Sequence, residues 1–137
     1  MILVDTNVWS ELTKAPWHQP VADWLAAHDE DLWLSVIVIA EFRMGIEKLP
    51  AGKRRAWLDT WCEGLLLEYG DRVLNFDAQS APLFARLVIQ RILEKQETKL
   101  HDLQIAAQGL AYGATVATRN VKDFAWTGVT VVNPWGE

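Results

Sequence analysis

A chain of 137 residues, half of them apolar and eight of them Trp, has material for one buried core and is excluded from intrinsic disorder. A formal net charge of −5 argues, taken alone, against a nucleic-acid partner, because phosphate contacts need Lys and Arg. No apolar run approaches the ~20 residues of a membrane span. The single cysteine, Cys62, excludes an internal disulfide and fits a reducing, cytoplasmic setting.

In chain order, Met1-Ile2-Leu3-Val4-Asp5 reads as a buried strand ending in an acid, rather than as a signal peptide. A helix is expected over residues 21–28, with Val21, Trp24 and Leu25 on one face, and a strand over 32–34. Ser35-Val36-Ile37-Val38-Ile39 has the β-branched content of a strand. The charged tail from Glu41 to Lys48 turns the balance toward a helix capped by Ser35. A long helix over 53–67 sets Trp57, Trp61 and Leu65 at i, i+4 spacing, and its apolar neighbours give Cys62 a core role. A strand at 72–74 follows.

Asp77 then reads as the N-cap of a helix whose stripe is Ala81, Phe84, Ala85, Val88 and Ile92. Another helix runs from Asp102, with Leu103, Ala106, Ala107 and Leu110 on its buried side and Gly113 as its stop. Strands at 115–118 and 129–132 complete the pattern. Alternating strands and helices imply a mostly parallel sheet covered on both faces, a three-layer α/β/α sandwich forming one domain over residues 1–137.

Four acids stand where burial is costly without a task. Asp5 closes the first strand, at the carboxyl edge where open α/β sheets bind ligands. Asp102 precedes an apolar turn, Glu41 lies in Ile39-Ala40-Glu41-Phe42, and Asn120 and Asp123 follow a strand. Clustered carboxylates stay ionised only beside a cation. Oxygen donors without a Cys/His cluster favour Mg2+ or Mn2+ over zinc. Each acid also has a plainer reading. Asp102 could cap its helix, Glu41 could pair with Arg43 or Lys48, and Asp123 could belong to a turn; Asp5 has the weakest alternative. Neutralising four acids leaves the remaining surface near neutral, so Lys53-Arg54-Arg55 could serve as a basic patch or simply start a helix. His101 adjoins Asp102, but adjacent helical residues point in different directions, which sets His101 outside a shared site.

The motifs together resemble those of PIN domains. Ile2-Leu3-Val4-Asp5-Thr6-Asn7-Val8 is similar to the first motif, and Ser35 through Glu41 with Met44 and Gly45 to the second. His101-Asp102-Leu103-Gln104-Ile105-Ala106-Ala107 resembles the third, and Ala117-Thr118-Arg119-Asn120-Val121-Lys122-Asp123-Phe124 the closing motif of the VapC and FitB-like branch. The resemblance implies Mg2+-dependent cleavage of RNA by a toxin of a type II toxin–antitoxin system. It implies Asp5 and Asp102 as metal ligands, Glu41 holding metal or orienting water, and Asn120 or Asp123 completing the site. It further implies a VapB-like antitoxin through which operator DNA is bound, and a homodimer. Trp9 and Trp17, in a segment of little apolar periodicity, are candidate interface residues beside the alternative of ordinary core.

Two departures stand out: the broader fold often has an acid where this chain has Asn120, and residues 94–100 are more charged than the family pattern. The alternatives are a PIN-fold RNA-binding or regulatory module without activity, and a small acid-pocket phosphatase. A haloacid-dehalogenase-type phosphatase usually carries a second Asp two residues after the first, where this chain has Asn7. A receiver-like domain needs a paired acid and a Lys that are not found in place.

Overall fold

A computed structural model describes residues 1–137. Five short strands, β1 (Ile2–Val4), β2 (Leu32–Ser35), β3 (Val73–Leu74), β4 (Thr115–Ala117) and β5 (Thr130–Val132), form one sheet in the order β3-β2-β1-β4-β5. Every pairing is parallel. Parallel neighbours need long crossovers, and helices supply them: α1 (Thr6–Glu11), α2 (Gln19–Ala27), α3 (Val36–Glu47), α4 (Lys53–Glu68), α5 (Ser80–Leu93), α6 (Leu100–Tyr112) and α7 (Val121–Ala125). Leu3, Val4, Leu32, Leu34 and Val116 are fully buried in one continuous apolar cluster, as expected for strands covered on both faces.

The chain builds β2 and β3 outward from β1, then crosses to the other side of β1 for β4 and β5. That reversal falls between β1 and β4, whose register pairs Val4 with Ala117. It opens a crevice at the carboxyl ends of the two strands. Asp5 and Thr118 are the residues that immediately follow them.

Local signals explain most of the helices. Ser35 ends β2 and its hydroxyl accepts the Ile37 N–H at 3.1 Å, so the β-branched run that follows is helix α3. Gly113 closes α6 in the left-handed region, at φ 63°, where a side chain would be strained. Cys62 is buried in α4, as its apolar neighbours imply.

Four expectations need correction. First, Asp77 accepts the Gln79 and Ser80 N–H groups, each at 3.1 Å, but α5 begins only at Ser80, so Asp77 caps the turn leading into it. Second, the α5 stripe is rotated: Leu87 is buried while Ile92 is 62% exposed, because this helix is apolar on more than one side and periodicity alone does not pick the face. Third, α6 starts at Leu100, so Asp102 lies inside the first turn and is not its N-cap. Fourth, Trp9 is only 2% exposed, inside the core, whereas Trp17 is half exposed. The basic run is mostly turned onto its own chain: Arg54 donates to Thr13 O at 3.2 and 3.3 Å, and Arg55 to Leu49 O at 3.0 Å.

Candidate active site

Asp5 is held by its neighbours in sequence and across the crevice. Its Oδ1 accepts the Thr6 N–H at 2.8 Å, which caps α1, and its Oδ2 accepts the Thr118 hydroxyl at 2.8 Å. Asn7 Nδ2 bridges both, 3.3 Å from Asp5 Oδ2 and 3.3 Å from Thr118 Oγ1. Thr118 Oγ1 in turn accepts the Asn120 N–H at 3.0 Å, and Asn7 Oδ1 accepts the Arg119 N–H at 3.2 Å. The loops after β1 and β4 are thereby locked together around one carboxylate.

Glu41 reaches this point from α3, where its Oε1 accepts the Thr6 hydroxyl at 2.9 Å. Asp102 arrives from the first turn of α6 and is buried, like Asp5. The first turn of a helix carries partial positive charge, a favourable placement for a negative group.

The electrostatics bind these acids into one unit. Burial pushes the Asp5 carboxyl above its usual range, opposed by the hydrogen bonds from Thr118 and Thr6, with His101 also lowering it and Asp123 raising it. Burial likewise raises Glu41, against the Thr6 hydrogen bond and His101, with Asp5 adding to the rise. Asp102 is pushed up to about 6, by burial first and then by Asp5, with Asp123 contributing. Carboxyls raised first by burial and further by neighbouring acids mark a site where like charges crowd in a partly dry pocket.

Of the residues singled out from the sequence, Asp5, Glu41 and Asp102 are brought to one crevice. Asp123, exposed at its rim, acts on Asp5 and Asp102 through its charge. Asn120 precedes α7, and its side chain makes no capping bond. His101 is a correction. Its Nε2 lies 3.3 Å from Glu41 Oε2 and 3.6 Å from Asp102 Oδ1, because a long ring on the first helical turn can swing across the residue beside it. Thr6, Asn7 and Thr118 carried no assigned role in the sequence reading; their signal was contiguity with the strand-end motifs.

The donor set is hard oxygen, and a divalent cation would relieve the repulsion that raises these carboxyls, so the residues fit such an ion in kind. No three His, Cys, Asp or Glu side chains stand close enough to enclose an ion as they are, so binding has to draw side chains inward.

Comparison with known proteins agrees with this architecture. The model of the PIN domain matches residues 2–127. The chain is 40% identical to VapC ribonuclease Y4jK of Sinorhizobium fredii over 98% of each chain. It is 36% identical to Toxin FitB of Neisseria gonorrhoeae over 98% of this chain and 99% of that one. The crystal structure of FitAcB from Neisseria gonorrhoeae superposes with a TM-score of 0.90 at 35% identity, covering 100% of both chains. The chain belongs to the PIN-domain family, in the branch that holds VapC ribonuclease and FitB toxin.

Proposed function

We infer that this chain is a nuclease, a divalent-metal-dependent endoribonuclease serving as the toxin of a type II toxin–antitoxin pair. The observation that carries the reading is the union of Asp5, Glu41 and Asp102 in the crevice between β1 and β4, with all three carboxyls raised. Asp5 and Asp102 hold Mg2+ or Mn2+, and Glu41 orients the attacking water. Asp123 completes the ring of acids in preference to Asn120, supported by the reach of its charge to both Asp5 and Asp102. When bound, the ion supplies a Lewis acid that lowers the pKa of water and neutralises charge on the phosphodiester.

The chain's own residues do the positioning. Thr118, Asn7 and the Thr6 N–H fix the Asp5 carboxylate, and Oδ1, which accepts only the Thr6 N–H, retains a lone-pair direction for a further partner. Thr6 fixes Glu41 through its hydroxyl, so one turn of backbone ties two of the acids together.

A cell that makes such a nuclease needs a neutralising partner, so a VapB-like antitoxin is proposed, with operator DNA bound only through it. A homodimer is proposed as well, supported by the outward side of α5, where Ile89, Ile92 and Leu93 are exposed apolar residues in 3- and 4-residue steps. No helix is long and apolar enough to cross a membrane, and a cytoplasmic setting goes with the RNA substrate. Purified protein incubated with total RNA and a Mg2+ titration should cut internally, and Asp5→Asn should lower cleavage at least 100-fold while the fold persists. Absence of cleavage with either Mg2+ or Mn2+ would leave a PIN-fold binding module in its place.

A further inference from the structure

The loop after β4 carries cations that the acidic site leaves unused. Arg119 and Asn120 are exposed there, and Lys122 follows on α7, exposed and in no ion pair. With Asp123, Asn133 and Glu137 they line a polar cleft of ≈ 450 Å³. The cleft adjoins the crevice through Asp123, whose charge acts on Asp5 and Asp102. The Arg119 N–H bonds Asn7 Oδ1 at 3.2 Å and the Asn120 N–H bonds Thr118 Oγ1 at 3.0 Å, which pins the loop to the side chains that hold Asp5. The Arg119 guanidinium already grips an oxyanion, its Nε donating to Glu137 Oε1 at 2.8 Å. Its central carbon lies 4.9 Å from the centre of the Trp135 ring, so an aromatic face backs the fork while half of the side chain stays exposed. A phosphate offers such a fork the same kind of oxygen pair as a carboxylate. The rival basic run has less to give, since Arg54 and Arg55 are spent on Thr13 O and Leu49 O.

We propose that Arg119, backed by Trp135 and joined by Lys122, is a subsite for the RNA backbone phosphate next to the scissile one, and that Glu137 holds Arg119 until RNA displaces it. The inference rests on the ribonuclease reading above and adds how the strand is gripped. A crevice of acids repels a polyanion at every phosphate except the one a metal neutralises. A flanking phosphate therefore needs a cation supplied by the chain. Asp123 and Glu137 are the acids of the cleft. With Asp123 turned to the metal and Glu137 displaced, Arg119 and Lys122 face the strand unopposed. Trp135 is a positioning residue, keeping the guanidinium flat beside the loop.

Arg119→Ala should weaken binding of a short labelled single-stranded RNA about tenfold, measured by fluorescence anisotropy in EDTA so that no strand is cut. The slope of log Kd against log salt should flatten by about 0.7, the share of one phosphate on a single strand. With Mg2+, KM should rise by a similar factor while kcat at saturating RNA stays within about twofold, as loss of uniform binding requires. Arg119→Lys, which keeps the charge without the fork, should recover only part of the affinity. Glu137→Gln should tighten binding in the wild-type background and change nothing in Arg119→Ala, because a competitor for Arg119 has no effect once Arg119 is gone. Lys53→Ala removes the same charge from α4 and should leave Kd within about twofold. Equal losses in Lys53→Ala and Arg119→Ala, or a Kd and KM unmoved by Arg119→Ala, would overturn the subsite. Binding that depends on Arg119 without any cleavage by the wild type in Mg2+ or Mn2+ would instead overturn the ribonuclease reading, and the place of the subsite beside a scissile phosphate with it.

Discussion

Asp5 and Asp102 show how the same residue type is held differently by its surroundings. Asp5 is buried but surrounded by donors, so three hydrogen bonds offset part of what burial costs. Asp102 is buried without a cap bond to lose, and its carboxyl is pushed to about 6, by burial above all. A carboxyl raised above its unfolded value near 3.9 binds more protons folded than unfolded. In the metal-free protein the stability from neutral Asp102 is therefore full below about pH 4 and lost as pH rises through about 6. Asp102→Asn should stabilise the metal-free protein by about 1 kcal/mol at pH 7, and that gain should vanish toward pH 4 in urea titrations. Metal binding runs the other way, since a ligand carboxylate has to be ionised. Mg2+ affinity and RNA cleavage should decline as pH falls through about 6, and a flat profile between pH 7 and 5 would remove Asp102 from the metal. The strand-end acid and the helix-borne acid were legible from the sequence because burial without a task is expensive. The hydroxyl bonds of Thr6 to Glu41 and of Thr118 to Asp5, and the swing of His101 onto Glu41, were not, since contacts across 35 and 113 positions in the first two cases leave no local pattern.

At the scale of elements, α3 and α6 carry the site into place through a buried polar link. Ser35 Oγ donates to Gln108 Oε1 at 2.6 Å, and Gln108 Nε2 donates to Leu74 O at 3.2 Å, joining the start of α3, the middle of α6 and β3. Ser35→Ala removes the cap of α3 and orphans a buried amide oxygen, so it should cost about 2 kcal/mol in denaturant titrations. Gly109 packs α6 tightly against β4 and the residue before β5, since a Cβ there would lie 2.7 Å from Val129 Cγ2 and 3.3 Å from Val116 Cγ2. Gly109→Ala gains helix propensity of nearly 1 kcal/mol but overpacks by roughly 1–3 kcal/mol, so net destabilisation is expected in the same measurement. These elements were readable to different degrees. The charged tail from Glu41 to Lys48 decided helix over strand for α3, whose cap is Ser35, and Gly113 fixed the end of α6. The face of α5 was misread because Ile89, Ile92 and Leu93 continue its apolar run on the outer side. Helix α1 was passed over, being six residues long with too short a span for periodicity; Asp5, its cap, was the only signal.

In the whole molecule the sheet turns distant motifs into one site. Residues 5, 41, 102 and 123 meet because β1 lies at the centre and the chain switches sides there, an order of strands that apolar runs do not encode. Strand type and parallel pairing were inferable from the alternation with helices, but which strands become neighbours depends on packing across the full chain. The same convergence stores repulsion: Asp5 raises Glu41 and Asp102, and Asp123 raises Asp5 and Asp102, so the metal-free fold carries unfavourable charge at its own switch point. A cation bound only by the folded state offsets that repulsion and stabilises by mass action. With Mg2+ about 100-fold above Kd the gain is ~2.7 kcal/mol. For a domain of this length that corresponds to a rise in Tm of roughly 8–10 °C. Monovalent salt at matched ionic strength screens exposed charge without entering the crevice, so it should give a much smaller shift. The Mg2+ effect should largely vanish in Asp5→Asn, whose metal-free form should in turn melt no lower than the metal-free wild type. Equal shifts from Mg2+ in both proteins would mean that the ion acts elsewhere on the surface and that the converged acids do not bind it.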